Sequence, residues 1–253
     1  MKGRNTFALF IFSALFVFSL LVMAPAALLG GALDKLTEGK LNVSDAKGTL
    51  WNGSGIVLFR DNTQFIVLGH YNWHWRAAAL LEGQVEFDVT QGENTRPMFL
   101  RIFPLKRQAE LAHWHATLPA QMLSLLAPQL RPYQLSGEID FSTDSLVFSS
   151  QGGYGKAALD WNHAGSGLTD IYPLGDYRIL IEASGQDMSV QLSTLGGVLQ
   201  LGGKGKTVPG RGLEFSGTAQ AGQGDQYVVL TALLHHMGPE ISPGVFSFGL
   251  APQ

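Results

Sequence analysis

The chain has 253 residues, a formal net charge of -3 at pH 7 and no cysteine. This length suits one large domain or two small ones, and the slightly acidic balance, without a visible basic patch, argues against a nucleic-acid partner. The absence of cysteine excludes disulfide bonds and thiolate metal sites, and it is compatible with a periplasmic location. Charged residues make up only 15% of the chain and glycine accounts for 31 residues, which favours short strands and tight turns over helices.

The first predicted element is a long apolar helix close to the N-terminus. No residue between Arg4 and Asp34 is charged, and the side chains of Phe7–Met23 are almost all apolar. A bilayer core about 30 Å thick is crossed by roughly 20 apolar residues in a helix, and this segment reaches that length. We therefore expect a single transmembrane anchor over about Thr6–Leu29.

Residues 1–33 are accordingly predicted to form a cytoplasmic tail and an inner-membrane anchor, with residues 34–253 as a periplasmic domain. The short basic tail and the signal-like layout favour this orientation, although the basic residues on the two sides nearly balance. A cleaved signal peptide is the alternative, because Ala24-Pro25-Ala26 supplies a small-residue cleavage site. The apolar run exceeds the roughly 7 to 15 residues usual for such a peptide, which favours the anchor.

Residues 34–253 show the pattern of an all-β domain. Apolar segments recur at intervals of about ten residues between Gly, Asn, Asp and Ser, and no βαβ rhythm typical of a parallel sheet is visible. We predict a mostly antiparallel sheet that is folded or curved, or a sandwich. The predicted strands are Leu41–Trp51, Ser54–Arg60, Thr63–Leu68, Tyr71–Trp75, Gln84–Thr90, Met98–Phe103, Ala109–Leu118, Gln134–Ser142, Leu146–Ser150, Lys156–Trp161, Tyr177–Ala183, Ser189–Thr194, Val198–Leu201, Leu213–Ala219 and Val245–Phe248.

One or two short helices are predicted between these strands. Pro119–Leu126 begins with a proline suited to a first helical turn and stops before the next proline. Gln226–Met237 carries apolar residues three and four positions apart and ends before Gly238-Pro239. A further turn is predicted over Ala77–Leu81.

A weak internal repeat suggests two similar β layers, over about 34–118 and 133–253. Leu41–Trp75 reads as two strands, a turn and a strand that ends in tryptophan, and Tyr133–Trp161 follows much the same pattern. The similarity is one of pattern and not of residue identity.

Several predicted strands are apolar on both faces, namely Ile56–Phe59, Phe65–Leu68 and Ile179–Ile181. Both faces of such strands need cover, whereas a sheet with one wet face alternates apolar and polar residues. We expect a sandwich or folded sheet that buries both faces itself. A helix, the bilayer surface, a partner protein or lipid held in a groove are the alternatives.

The residues that usually carry chemistry do not form a recognisable site. His113 and His115 leave the same face of a predicted strand, but zinc sites usually need three protein ligands. Asn52-Gly53-Ser54-Gly55 lacks the glycine spacing of a nucleophile elbow, and Gly202–Lys206 lacks the spacing of a phosphate loop. We therefore expect no enzyme activity, no cofactor and no metal.

Five residues are candidates for a structural or interaction role: Trp51, Asn52, Gly53, Trp73 and Trp75. Asn-Gly is a strong signal for a two-residue hairpin turn, because both residues tolerate positive φ. The turn is therefore predicted at Asn52-Gly53, with Trp51 covering the end of the apolar layer. Trp73 and Trp75 follow at the period-two spacing of a strand. A packed Trp51 is the favoured interpretation, and a partner-binding Trp51 is the alternative.

The segment Gly48-Thr49-Leu50-Trp51-Asn52-Gly53, close behind an apolar N-terminus, resembles the G-T-L-W-x-G segment of the type II secretion system protein N family, a general secretion pathway component. Further landmarks in compatible order are Trp73–Arg76, Gly137–Ile139, Leu159–Trp161, Gly175–Tyr177, Gly197–Gly203 and Leu233–Gly238.

This resemblance implies a single-pass inner-membrane protein whose β domain faces the periplasm. It implies an accessory, non-enzymatic role in moving folded proteins across the outer membrane, with other type II secretion components and inner-membrane lipid as partners. The sheet is also similar in style to that of AsmA-like lipid-handling proteins, by analogy of architecture alone. A periplasmic groove that binds or transfers lipid is therefore the alternative function, and bound lipid the corresponding ligand.

Overall fold

The computed structural model describes residues 2–61, 64–94, 96–126, 128–208, 210–222 and 226–250. These residues divide into two compact units. Unit one comprises Met1–Trp75 with Phe87–Thr95, and unit two comprises Arg76–Glu86 with Arg96–Gln253. The prediction of similar layers over 34–118 and 133–253 stays a prediction.

Unit one combines two N-terminal helices with antiparallel strands paired in chain order. Its elements are α1 (Lys2–Val22), α2 (Ala27–Leu36), β1 (Leu41–Gly48), β2 (Asn52–Asp61), β3 (Gln64–Trp75) and the greater part of β4 (Val85–Gln91).

The N-terminal helical region is divided where the sequence predicted one helix over about Thr6–Leu29. α1 ends at Val22 and α2 begins at Ala27. Pro25 lies between them, and proline both lacks a backbone N–H and disfavours helical geometry in the residue before it. Among the residues that the structure describes, no helix has both the length and the apolar character required to cross a membrane.

Unit two continues the antiparallel pattern, which confirms the all-β prediction. Each strand pairs with its neighbours in chain order, except that β12 pairs with β14 and β13 follows at the edge. The strands are β5 (Met98–Phe103), β6 (Gln108–Pro119), β7 (Leu135–Ser149), β8 (Gly152–Ser166), β9 (Gly175–Gly185), β10 (Asp187–Gly197), β11 (Leu199–Val208), β12 (Gly212–Ala221), β13 (Glu240–Ser242) and β14 (Val245–Leu250).

The predicted helices are present in unit two. Residues 120–126 are helical as a 3₁₀ turn followed by α3 (Leu123–Leu126), and α4 covers Gln226–Met237 as predicted. A 3₁₀ turn over Ala77–Glu82 replaces the shorter turn expected there. The two strands predicted over Gln134–Ser150 form the single strand β7, whose pairing with β8 is irregular between Ser142 and Leu146.

Two apolar clusters stabilise unit two. In the first, α4 packs against β12 and β14 through fully buried side chains of Leu230, Leu234 and Phe246. In the second, Trp161 and Tyr177 lie with ring centroids 5.6 Å apart, and the Tyr177 hydroxyl donates a hydrogen bond to the carbonyl of Leu199. Burial, followed by the charge of Asp176, raises the pKa of Tyr177.

Two of the three strands predicted to be apolar on both faces leave apolar side chains exposed, whereas Ile56–Phe59 in β2 is half-buried throughout. In β3, Phe65 and Val67 are exposed, and in β9 Leu180 is exposed between the half-buried Ile179 and Ile181. The expectation that the protein itself buries both faces is therefore wrong for these strands. The described strands of each unit pair within one sheet, and no separate second sheet is found among them that could cover these side chains.

Candidate functional site

The candidate site in unit one is the connection between β1 and β2, together with two tryptophans of β3. We call Gly48–Gly53, Trp73 and Trp75 the tryptophan turn. Gly48 pairs with Gly53 across the hairpin. The Thr49 hydroxyl accepts hydrogen bonds from the backbone N–H groups of Trp51 at 3.3 Å and Asn52 at 3.0 Å, which closes the turn locally.

The predicted two-residue turn at Asn52-Gly53 is wrong. Both residues lie at the start of β2, and the glycine with positive φ is Gly48, at 84°. Gly53 is required for space: a Cβ atom there would lie 2.5 Å from the Lys47 carbonyl oxygen and 2.8 Å from Trp73 Cζ2. The turn is therefore formed by the Thr49 hydroxyl and by Gly48 in a left-handed conformation, and not by Asn52 and Gly53 as predicted.

Trp73 stabilises the turn through hydrogen bonds from its indole N–H. It lies on β3 directly opposite Gly53 and is buried, with 9% of its surface exposed. Its indole N–H donates to the carbonyl oxygens of Thr49 at 3.2 Å and Leu50 at 3.1 Å. One buried donor thus satisfies two carbonyl groups that the tight turn leaves without strand partners.

Trp51 and Trp75 form an aromatic pair beside the turn. Their ring centroids are 4.8 Å apart, and the Trp75 backbone N–H donates to the Trp51 carbonyl at 2.6 Å. The Trp51 indole N–H donates to the carbonyl of Leu21 in α1 at 2.8 Å. Both rings are half-buried, and the Trp51 indole links the turn to α1. The predicted packing role of Trp51 stays a prediction.

The residues between α1 and α2 are bonded to the same turn. Pro25 forms an isolated antiparallel bridge with Thr49. The Ala26 N–H donates to the Gly48 carbonyl at 3.0 Å, and the Leu50 N–H donates to the Ala24 carbonyl at 2.9 Å. The segment proposed as a cleavage site in the signal-peptide alternative is therefore paired into unit one, and Ala26 is 1% exposed.

Unit two contains a charged ladder that the sequence did not reveal. The Glu86 carboxylate accepts hydrogen bonds at 2.7 Å from Arg76 Nη1 and from Arg101 Nε. Arg101 Nη1 lies 3.5 Å from Glu110, which in turn accepts a hydrogen bond from the Ser145 hydroxyl at 2.7 Å. The ladder therefore crosses β4, β5, β6 and β7.

Glu86 is the buried member of this ladder, with 4% of its surface exposed. Burial by itself raises the pKa of the Glu86 carboxyl, but the hydrogen bonds and charges of Arg101 and Arg76 outweigh burial and hold that pKa below its ordinary value. The carboxylate is thus ionised at neutral pH. Its geometry is that of a structural ion pair, since both oxygens are occupied by guanidinium groups.

The histidines that drew attention in the sequence do not assemble into a metal site. The ring of His113 packs edge-on against Phe99, and His115 Nδ1 lies 3.2 Å from the His113 carbonyl. Among the described residues, no group of three or more His, Asp or Glu side chains is arranged to hold a metal ion.

The chain was compared with protein families, curated proteins and solved structures. A family model described as "Type II secretion system (T2SS), protein N" matches residues 39–249. The match includes the tryptophan turn apart from its contacts with α1, and it includes the whole charged ladder. No curated protein and no solved structure matched.

Proposed function

Because the chain belongs to the type II secretion system protein N family, we propose that it is a non-enzymatic accessory component of that system, anchored in the inner membrane with its β units in the periplasm. There it aids the export of folded proteins across the outer membrane. The observation that carries the proposal is the family match over residues 39–249, which covers most of both β units.

The proposed anchor is supported by the surface of α1. In the part of this helix whose side chains are described, apolar residues are exposed around the helix, including Phe12, Leu15, Phe16 and Phe18. A helix that is apolar all round is typical of burial in a large core or a bilayer, and none of the α1 side chains that the structure describes is buried. The uncharged residues from Asn5 to Met23, which precede the segment paired with the tryptophan turn, are close to the roughly 20 apolar residues that cross a bilayer.

Retention of the anchor is supported by the tryptophan turn. Cleavage after Ala26 would remove the carbonyl of Ala24 and the bridge of Pro25, which pair with Leu50 and Thr49. It would also remove the Leu21 carbonyl that accepts the Trp51 indole N–H. The folded unit therefore begins before the cleavage site.

A reporter fusion tests this placement. An enzyme that is active only in the periplasm is fused after Gln253, and we expect it to be active. The same enzyme fused before Met1 is the matched control and should be inactive. The intact mass of the purified chain should include residues 1–26, and a mass that begins after Ala26 would contradict the retained anchor.

Co-purification tests the role in secretion. A tagged full chain extracted from membranes in mild detergent should carry other type II secretion components. Deletion of the chain should lower the amount of secreted folded enzyme in the medium. Normal secretion after deletion, together with purification free of other secretion components, would overturn the proposed function.

The alternative, a lipid-binding groove, rests on the exposed apolar side chains of the sheet. Phe65 and Val67 in unit one, and Leu180 and Leu195 in unit two, lie uncovered on their strands. Native mass spectrometry of the gently extracted protein distinguishes the two functions. Stoichiometric phospholipid without secretion components would favour the groove.

A further inference from the structure

We propose that unit two carries a surface that rests on the bilayer, formed by leucines and cations on two adjacent strand turns. This proposal depends on the anchored placement proposed above. The first turn is Ala77–Glu82, which precedes β4, and the second is Pro104–Lys106, which joins β5 to β6. We call five exposed residues in or directly after these turns, Leu80, Leu81, Leu105, Lys106 and Arg107, the leucine edge.

The charged ladder places the two turns side by side. Glu86 is the second residue of β4, and Arg101, which bonds to its carboxylate, lies near the end of β5. Arg76, which bonds to the other oxygen of Glu86, immediately precedes the first turn. The turn before β4 and the turn after β5 therefore project from the same edge of the sheet.

The leucines of these turns contribute nothing to the core. Leu81 is 92% exposed and Leu105 is 94% exposed, and Leu80 is also exposed. Single exposed apolar residues are ordinary on protein surfaces, but fully exposed leucines clustered on adjacent turns mark an interaction site.

Two cationic residues, Lys106 and Arg107, directly follow Leu105 in the sequence. The Lys106 ammonium lies 5.3 Å from the centroid of the Phe103 ring, and Arg107 closes the turn in a left-handed conformation, with φ of 51°. Arg107 also lines an apolar recess of about 340 Å³ together with Ile102 and Phe148. The first turn also contains one exposed acidic residue, Glu82, whose carboxylate accepts a hydrogen bond from the Gln84 side chain.

Apolar tips next to Lys and Arg fit the surface of an anionic bilayer. Such tips enter the boundary between headgroups and acyl chains, and the cations contact lipid phosphates. A protein partner is less suited, because energetic centres of protein interfaces are enriched in Trp, Tyr and Arg held in packed pockets. The leucine edge instead offers aliphatic side chains on separate turns.

Site-specific fluorescence in the full chain tests the proposal. The chain has no cysteine, so Leu105→Cys and Leu81→Cys each provide one labelling site for an environment-sensitive dye. The proteins are reconstituted in bilayers of phosphatidylethanolamine and phosphatidylglycerol. We expect blue-shifted emission that nitroxide-labelled lipid quenches strongly and aqueous iodide quenches weakly.

Two further positions separate this proposal from the anchor on which it depends. Leu168→Cys, on the β8–β9 connection at the opposite edge of unit two, is the matched control and should report water. Phe16→Cys in α1 should report lipid. A water signal at Phe16 overturns the anchor, whereas a lipid signal at Phe16 with water signals at Leu81 and Leu105 overturns the leucine edge alone.

The cations provide the second measurement. Replacing Lys106 and Arg107 by Gln should lower lipid quenching at Leu81→Cys, with the membrane-bound population of the edge weakened by about fivefold per cation. The effect should vanish in bilayers of phosphatidylcholine alone. Unchanged quenching in the anionic bilayer would overturn the proposed contact of these cations with lipid phosphates.

Discussion

Gly53 and Trp73 face each other across β2 and β3, and the space between them has no room for a further carbon atom. A Cβ atom at Gly53 would lie 2.8 Å from Trp73 Cζ2. The same indole donates its N–H to the two carbonyls of the turn, Thr49 and Leu50. Trp73 can therefore make these hydrogen bonds only because Gly53 has no side chain.

Gly53→Ala should destabilise the protein by about 1–3 kcal/mol, because the added methyl group overpacks Trp73 and the Lys47 carbonyl. The measurement is chemical unfolding of the full chain in detergent. Gly202→Ala is the matched control, since it lies in a strand with open space around its Cβ position and no positive φ. Equal unfolding midpoints for the two variants would contradict the packing described for Gly53.

Trp51→Ala should lower the free energy of unfolding by about 2 kcal/mol, less than the 3–5 kcal/mol typical of a fully buried tryptophan, because Trp51 is half-buried. The loss of its hydrogen bond to Leu21 should also expose the junction after α1 to protease. Trp51→Phe is the control that keeps an aromatic ring at this position and removes the indole N–H. An unchanged melting transition, with loss of co-purifying secretion components, would show that Trp51 is a partner anchor instead.

The sheet was predictable from the sequence because strand burial follows residue alternation. Thus Leu213 and Phe215 in β12 are half-buried while Glu214 between them is exposed, and α4 follows the spacing of Leu230, Leu233 and Leu234. The turn was mislocated because Asn-Gly is normally a hairpin signal. The hydroxyl of Thr49 supplied a competing closure that sequence spacing does not display.

The charged ladder and the pairing of the N-terminal segment were not predictable for a different reason. The ladder residues lie at the polar positions of strands in which polar and apolar residues alternate: Glu86, Arg101 and Glu110. In the sequence, a polar residue that faces solvent cannot be told from one that forms a buried ion pair. Their bonding depends on the register of three strands. Similarly, Pro25 reads as part of an apolar run, and only its bridge to Thr49 shows that it belongs to unit one.

Glu86→Gln should destabilise the protein by about 2–3 kcal/mol, because it removes the buried carboxylate that Arg76 and Arg101 share, while Arg101 keeps its contact with Glu110. This lies below the roughly 3–5 kcal/mol typical of a broken buried pair, since both arginines are partly exposed and regain water. Glu182→Gln, which breaks the exposed pair with Lys156, is the matched control and should cost about 0–1 kcal/mol. Similar losses in both variants would mean that the ladder contributes no more than a surface pair.

The stability contributed by Glu86 should depend on pH below about 5. Its pKa in the folded protein is lowered from the ordinary value of 4.5, so its contribution is complete above that value and is lost as pH falls through the lower, folded pKa. The measurement is the free energy of unfolding of the parent chain and of Glu86→Gln over the acid range. The difference between them should stay constant from neutral pH to about pH 5 and then narrow as Glu86 becomes protonated. A difference that widens on acidification would mean that Arg76 and Arg101 do not hold the carboxylate in its ionised form.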